Sequence, residues 1–248
     1  MIRIKLILSY DGYYINGWTG TNGIFVDNLL SEAIYKLCGE KVICHCAGRT
    51  DKGVHALYQV CHFDLTKEYK RDYIKGINFY LPHFIRILNS TIVNNDFHAR
   101  FSAQKRYYKY LISNSMLLTN KSYVIPYSIK KLNINMMQEA INIIKELKDF
   151  SFFYPAIYFK SNDSKIQRTL ENIYMEFQHF LTEEVLCITF IAKSFAHHQV
   201  RNIVGTLLEI GINRWTIDTF KNRLKTNNRN FCAATANAHG LYLVNVLY

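Results

Sequence analysis

Ten residues, Ala47-Gly48-Arg49-Thr50-Asp51-Lys52-Gly53-Val54-His55-Ala56, gather one carboxylate, an arginine, a lysine, a histidine and two glycines between segments that read as buried strands. Polar side chains concentrated in such a loop stand where binding and catalysis are usually done. The glycines let backbone approach a ligand closely, and Arg49 offers a planar fork of donors for phosphate oxygens or base edges. Asp51 is the one acid among Arg49, Lys52 and His55, and neighbouring cations hold such a carboxylate ionised. The same spacing also suits a glycine-flanked turn in which Asp51 caps backbone amides. It names no reaction.

A second constellation, Cys44, His45, Cys46, His55 and His62, is crowded enough to raise zinc. Along a strand, however, Cys44 and Cys46 project to the face opposite His45. No second ligand pair stands at structural-zinc spacing, so no metal site is expected. The six cysteines (Cys38, Cys44, Cys46, Cys61, Cys187, Cys232) never form Cys-x-x-Cys and read as free thiols. A zinc base deaminase needs His-x-Glu and Pro-Cys-x-x-Cys, and neither occurs. Two further positions stand out against ordinary packing. Arg201 lies among Val200, Ile203 and Val204, where partial burial demands a partner for the charge. Tyr108 shares a strand face with Tyr110, opposite Tyr107.

The elements that must carry these residues follow from periodicity. Ile2, Ile4, Leu6 and Leu8 alternate with polar residues as in a half-buried strand, and Asp11-Gly12 turns the chain. Val26, Leu29, Leu30, Ala33, Ile34 and Leu37 form a helical stripe closed by Gly39. Strands follow at Val42 to Cys46 and Tyr58 to Phe63, then a helix from Asp72 to Leu81 stopped by Pro82, and a strand from Phe84 to Val93. The second half has strands at Tyr107 to Ile112, Thr169 to Phe177, Val185 to Ala192 and Leu241 to Leu247, with helices at Met136 to Leu147 and Val200 to Leu208. Each half spells β-α-β-β-α-β. The expected architecture is therefore α+β, with two ferredoxin-like halves, residues 1–102 and 103–248, whose antiparallel sheets carry helices on one face and flank a cleft.

The 248 residues allow one to two domains with a sizeable core, which excludes a disulfide-stapled miniprotein. At 49% hydrophobic and 20% charged, the chain is neither a disordered tail nor a fibre. Its formal charge of +11 favours an anionic partner such as nucleic acid. Basic runs with interleaved aromatics at Lys67 to Arg71, Lys105 to Lys109 and Lys221 to Arg229 suit phosphates and unpaired bases, although any single run is more commonly a solvated face. No apolar run is long enough to span a bilayer and no signal peptide opens the chain, so the cytoplasm is the expected compartment.

Ala47 to Ala56 resembles the catalytic signature of the TruA-type tRNA pseudouridine synthases. The likeness continues in order through Tyr10-Asp11-Gly12 with Gly17-Trp18, Asn78 with Leu81-Pro82, Phe97 to Ala103, Arg106 to Tyr110, Val200 to Gly205 and Ala238 to Leu243. The resemblance implies isomerisation of uridine to pseudouridine at positions 38, 39 and 40 of tRNA, without cofactor or metal, by a homodimer. It implies that Asp51 is the catalytic aspartate, that Arg201 pairs with it, and that Tyr108 stacks on the target uracil. It further implies that Arg49 fills the space left by the flipped base; Lys52, His55 and Arg106 are expected beside it in the substrate-binding set. His197 and His198 read as RNA-facing or packing residues. The chemistry suits a carboxylate, because the N-glycosidic bond must break and the trapped uracil must rejoin through C5. Attack on the sugar, attack on the ring and removal of a sugar proton all stay open. The chain departs from the family at Thr19 to Asp27, which lacks two glutamines usual there, at Lys52, and at Phe152-Phe153-Tyr154-Pro155. A tRNA-binding protein that has lost catalysis is the competing reading, and the presence of Asp51, Tyr108 and Arg201 together argues against it.

Overall fold

The computed structural model describes residues 1–113, 125–126, 129–153, 169–180 and 183–248, so Tyr154 and Pro155 lie outside the described residues. The described chain is mixed α+β. Its strands are β1 (Ile2–Tyr10), β2 (His45–Cys46), β3 (His55–Leu65), β4 (Ile85–Val93), β5 (Lys105–Ser113), β6 (Ile125–Pro126), β7 (Asn172–Phe180), β8 (Glu183–Ala192) and β9 (Leu241–Leu247). Its α-helices are α1 (Val26–Cys38), α2 (Tyr73–Tyr80), α3 (Ile134–Lys145), α4 (Gln199–Gly211) and α5 (Ile217–Lys225). Two compact units form, one from Met1–Tyr107 with Tyr242–Tyr248 and the other from Tyr108–Leu241. Reading the chain by periodicity assigns the last strand to the second half. In the structure it returns to the first unit, where Tyr242 pairs in parallel with His55 and stacks on its ring at 4.6 Å.

Within the first unit the strand order is β4-β1-β3, with β2 and β9 both on β3. The pairings β1 with β3, β1 with β4 and β2 with β3 are antiparallel, while β3 with β9 is parallel, a departure from the all-antiparallel sheet expected. Alternation puts Ile4, Leu6, Leu8 and Tyr10 of β1 in the core. The α1 stripe buries Val26, Leu30, Ala33, Ile34 and Cys38. The helix ends where Gly39 adopts a φ of 74° and donates to the Tyr35 carbonyl at 2.7 Å. Asp72 caps α2 by accepting from the Lys75 amide at 3.0 Å. The predicted strand Val42 to Cys46 shrinks to β2, and Ile43 is 74% exposed. The predicted strand at Tyr58 instead begins at His55, so the loop before it is shorter than periodicity implies.

The second unit orders its strands β5-β8-β7, with β6 on β5 and β7 antiparallel to β8. Its α3 buries Met137, Ala140, Ile141 and Ile144 and packs on α4 and α5. Helix α5 has no counterpart among the predicted elements, because its apolar stripe is only Ile217, Phe220 and Leu224 in an otherwise polar segment, and of these only Phe220 is buried. Thr216 starts it by accepting from the Thr219 amide at 3.1 Å.

Candidate active site

The loop Ala47 to Val54 is suspended from the first unit's sheet by a buried polar network. Gln59 is buried at the start of the run 59–63 of β3, and its Nε2 donates to the Gly48 carbonyl at 2.8 Å and to the Tyr10 hydroxyl at 3.2 Å. The Tyr10 hydroxyl is 2.8 Å from Thr50 Oγ1, so strands β1 and β3 both grip the loop through side chains. The Ala47 amide donates to the Val60 carbonyl at 2.7 Å. Arg106 is only 5% exposed. Its Nε and Nη2 donate to the Ala47 carbonyl at 3.0 and 2.6 Å, and Nη2 also reaches the Arg100 carbonyl at 2.7 Å. These bonds are charge-assisted, hence stronger than neutral ones. Arg106, expected in the substrate-binding set, holds the loop backbone through these bonds.

Asp51 is half-buried and lies on backbone held from two sides. It forms an isolated antiparallel bridge with Gly17, the Trp18 amide donates to the Thr50 carbonyl at 3.1 Å, and the Asp51 carbonyl accepts from the Val54 amide at 3.2 Å. Gly53 supplies the positive φ of 84° that closes this turn. The missing side chain of Gly12 lets the β1 turn press against the Gly53–Val54 backbone, where an added Cβ lies 2.5 Å from the Val54 carbonyl carbon. Arg49 and Lys52 are exposed beside Asp51. His55 is buried, and its Nδ1 accepts from the Gly12 amide at 3.0 Å. Asp11 Oδ1 also lies 3.2 Å from Nδ1, but a nitrogen holding that amide proton has none of its own to give the carboxylate. His55, expected in the substrate-binding set, therefore fixes the Gly12 turn. The departing segment Thr19 to Asp27 is closed locally: Asn16 and Ile24 exchange bonds of 2.7 and 3.0 Å, and Gly23 adopts a φ of 136°.

Below the loop, His62 is buried, accepts from the Ala99 amide at 3.2 Å, stacks on His45 at 5.1 Å and meets His98 edge-on at 4.7 Å. Burial, then the charges of His98, Arg3 and His45, lower its pKa to about 4. Burial likewise pushes the Cys46 thiol up to about 12, so it is protonated at neutral pH.

In the second unit Tyr108 is 7% exposed and meets Phe195 edge-on at 5.1 Å. Arg201, in the first turn of α4, is half-buried and donates from Nε to the Ala236 carbonyl at 2.8 Å, while its own carbonyl accepts from the Ala236 amide at 3.1 Å. It is not a solvated surface charge. The neighbouring Asn202 is buried; it donates to the Phe153 carbonyl at 2.8 Å and accepts from Arg229 Nη2 at 2.9 Å and Thr235 Oγ1 at 2.7 Å. The Tyr110 hydroxyl donates to the Asn237 carbonyl at 2.9 Å. Helix α4 and β5 thus hold the segment 233–237 against Arg201. Part of the third basic run is structural as well, since Arg223 lies 4.3 Å over the Trp215 ring and Arg229 ties Asn202 to Thr235. His197 and His198 stack at 3.7 Å, and His198 opens α4 with a φ of 61°.

Among the loop's supports, Gln59 was not singled out by motif or periodicity. The available signal was a glutamine leading into the largely apolar stretch Val60 to Phe63, a position that requires hydrogen-bond partners once buried.

Comparison with known proteins places the chain in a class. Residues 148–248 match the family described as tRNA pseudouridine synthase. The chain is 37% identical to tRNA pseudouridine synthase A of Ehrlichia ruminantium (strain Welgevonden) over 256 residues, covering all of both chains. Full coverage of both chains also holds for the proteins of the same name from Ehrlichia canis (strain Jake), at 36% identity, and Afipia carboxidovorans, at 37%. With that identity along its whole length, the chain belongs to the tRNA pseudouridine synthase family.

Proposed function

We propose that this chain isomerises uridine to pseudouridine in the anticodon stem-loop of tRNA, at positions 38, 39 and 40, with Asp51 as its catalytic carboxylate and no cofactor or metal. The observation that carries the reading is the setting of Asp51: a half-buried carboxylate on backbone bridged to Gly17 and closed by Val54, with Arg49 and Lys52 exposed beside it. Preorganised backbone of this kind holds a reacting group in place without rearrangement during the reaction. The target must leave its stack, at a cost of a few kcal/mol. The N1–C1′ bond then breaks, a C5–C1′ bond forms, and the proton lost from C5 is balanced by one gained at N1. Arg49, exposed at the loop, suits the gap the base leaves. Arg201 and Tyr108 complete the proposed catalytic set. The antiparallel order β4-β1-β3-β2 supports reading the first unit as ferredoxin-like. No described helix is long and apolar enough to cross a membrane; the cytoplasm as compartment and a homodimer as assembly are part of the proposal.

The test is incubation with individual unmodified tRNAs followed by chemical mapping of pseudouridine. Wild-type protein yields product at positions 38 to 40. Asp51→Asn yields none while binding tRNA within about tenfold of wild type, since one charge is lost among many contacts. Product from Asp51→Asn overturns the assignment. Tight binding by wild type without product, at stoichiometric enzyme, marks a tRNA-binding protein instead.

A further inference from the structure

The turn that presses on the catalytic loop also carries an exposed aromatic step that the proposed reaction does not use. Residues Gly12–Tyr14 form a single 3-10 turn, on which Tyr13 is 58% and Tyr14 43% exposed. The Tyr14 ring stacks on Phe84 at 5.1 Å with planes 17° apart. Tyr13 and the exposed His83 stand edge-on to it, at 5.2 and 5.5 Å. The two segments are locked together by the Asp11 amide donating to the Phe84 carbonyl at 2.9 Å. Exposed Arg86 is pinned through Nη1 to the Pro82 and Ile85 carbonyls, both at 2.7 Å, which fixes a cation on the same segment as His83 and Phe84.

Rings left in water at such exposure lose hydrophobic stabilisation unless a partner covers them. Here the central ring is already backed and flanked, so covering it requires no ordering of the side chain. A flat π-face with a guanidinium nearby is the chemistry that binds an unpaired nucleobase and its phosphate. A cation fixed on this segment, in a chain of net charge +11, suits an anionic occupant. We propose that Tyr14, backed by Phe84 and flanked by Tyr13 and His83, stacks on an unpaired loop base of the tRNA adjoining the target uridine, with Arg86 meeting its phosphate. This rests on the function proposed above. The proximity is set by Gly12, on the same turn, which packs on Val54, three residues beyond Asp51.

The experiment uses anticodon stem-loop RNA with 2-aminopurine placed in turn at each loop position, bound to the full chain. Wild type quenches the fluorescence at one position. Tyr14→Ala loses that quenching and binds about 10-fold more weakly, whereas Tyr14→Phe keeps both. An abasic residue at that position removes the difference between wild type and Tyr14→Ala. Unchanged quenching and affinity within twofold for Tyr14→Ala overturn the proposal, as does conversion of a dimer to monomer by Tyr14→Ala in light scattering, which marks the rings as a contact between copies. If wild type makes no pseudouridine the function fails; if it makes product and Tyr14→Ala leaves the quenching intact, only the stacking site fails.

Discussion

Gly12→Ala tests whether catalysis depends on the turn that backs the Asp51 loop. An added Cβ lies 2.5 Å from the Val54 carbonyl carbon and 2.7 Å from that of Gly53, whereas ordinary contact begins at 3.4 Å. The obstructing atoms are backbone on both sides, so no side chain can swing away. The turn and the loop must therefore separate by about 0.9 Å, and Gly12 also risks losing the 3.0 Å bond to His55 Nδ1. Overpacking of this kind costs about 1–3 kcal/mol of stability. A displacement near 1 Å of a positioned catalytic group costs about 100-fold in rate. The expected outcome is a kcat lowered about 100-fold, tRNA affinity within a few-fold of wild type, and a Tm several degrees lower. Gly39→Ala is the control. Its Cβ meets nothing within 4 Å and is strained only by the φ of 74°, so it costs about 1 kcal/mol and leaves kcat unchanged. A folded Gly12→Ala protein with wild-type kcat refutes the idea that this contact positions Asp51.

Arg106→Leu leaves the buried Ala47 carbonyl without its two guanidinium donors and should destabilise the protein by about 2–4 kcal/mol in urea unfolding. The salt dependence of its tRNA affinity should stay unchanged; a slope reduced by about one would mark Arg106 as a phosphate contact. For His62, the folded pKa of about 4 lies below the ordinary 6.5, so its contribution is complete above pH 6.5 and drains as pH falls toward 4. Between pH 7.5 and 5 wild type should lose about 2 kcal/mol that His62→Gln does not, read from unfolding midpoints at each pH; parallel profiles refute it. Gly205→Ala drives a Cβ into the Ala234 carbonyl beside the segment held against Arg201, and should lower Tm by several degrees, an unchanged Tm being the contrary result.

The strands and helices with strong alternation or a helical stripe, β1, α1, α3 and α4, were legible because burial of one face demands that spacing. So was the loop around Asp51, since a lone acid among cations and glycines stands out in any composition. Helix α5 was not, because polar residues dominate it and its order comes from packing on α3. The same limit applied to Arg106 and His55. Their residue types suit ligand contact and structural hydrogen bonding equally, and the carbonyl and amide partners they hold leave no mark in the local sequence. The parallel partner of β3 was also hidden, because pairing between His55 and Tyr242 joins residues far apart in the chain and leaves no local pattern.

That distant pairing has a consequence for synthesis on the ribosome. The strand beginning at His55, which continues directly from the Asp51 loop, receives its neighbour Tyr242 only after all of Tyr108–Leu241 has been translated. Until then the nascent first unit exposes a ladder edge of backbone donors and acceptors, a surface prone to wrong partners. The Asp51 loop should therefore mature late, and a pulse-labelled nascent chain arrested before residue 242 should be more readily cleaved near His55 than the released protein.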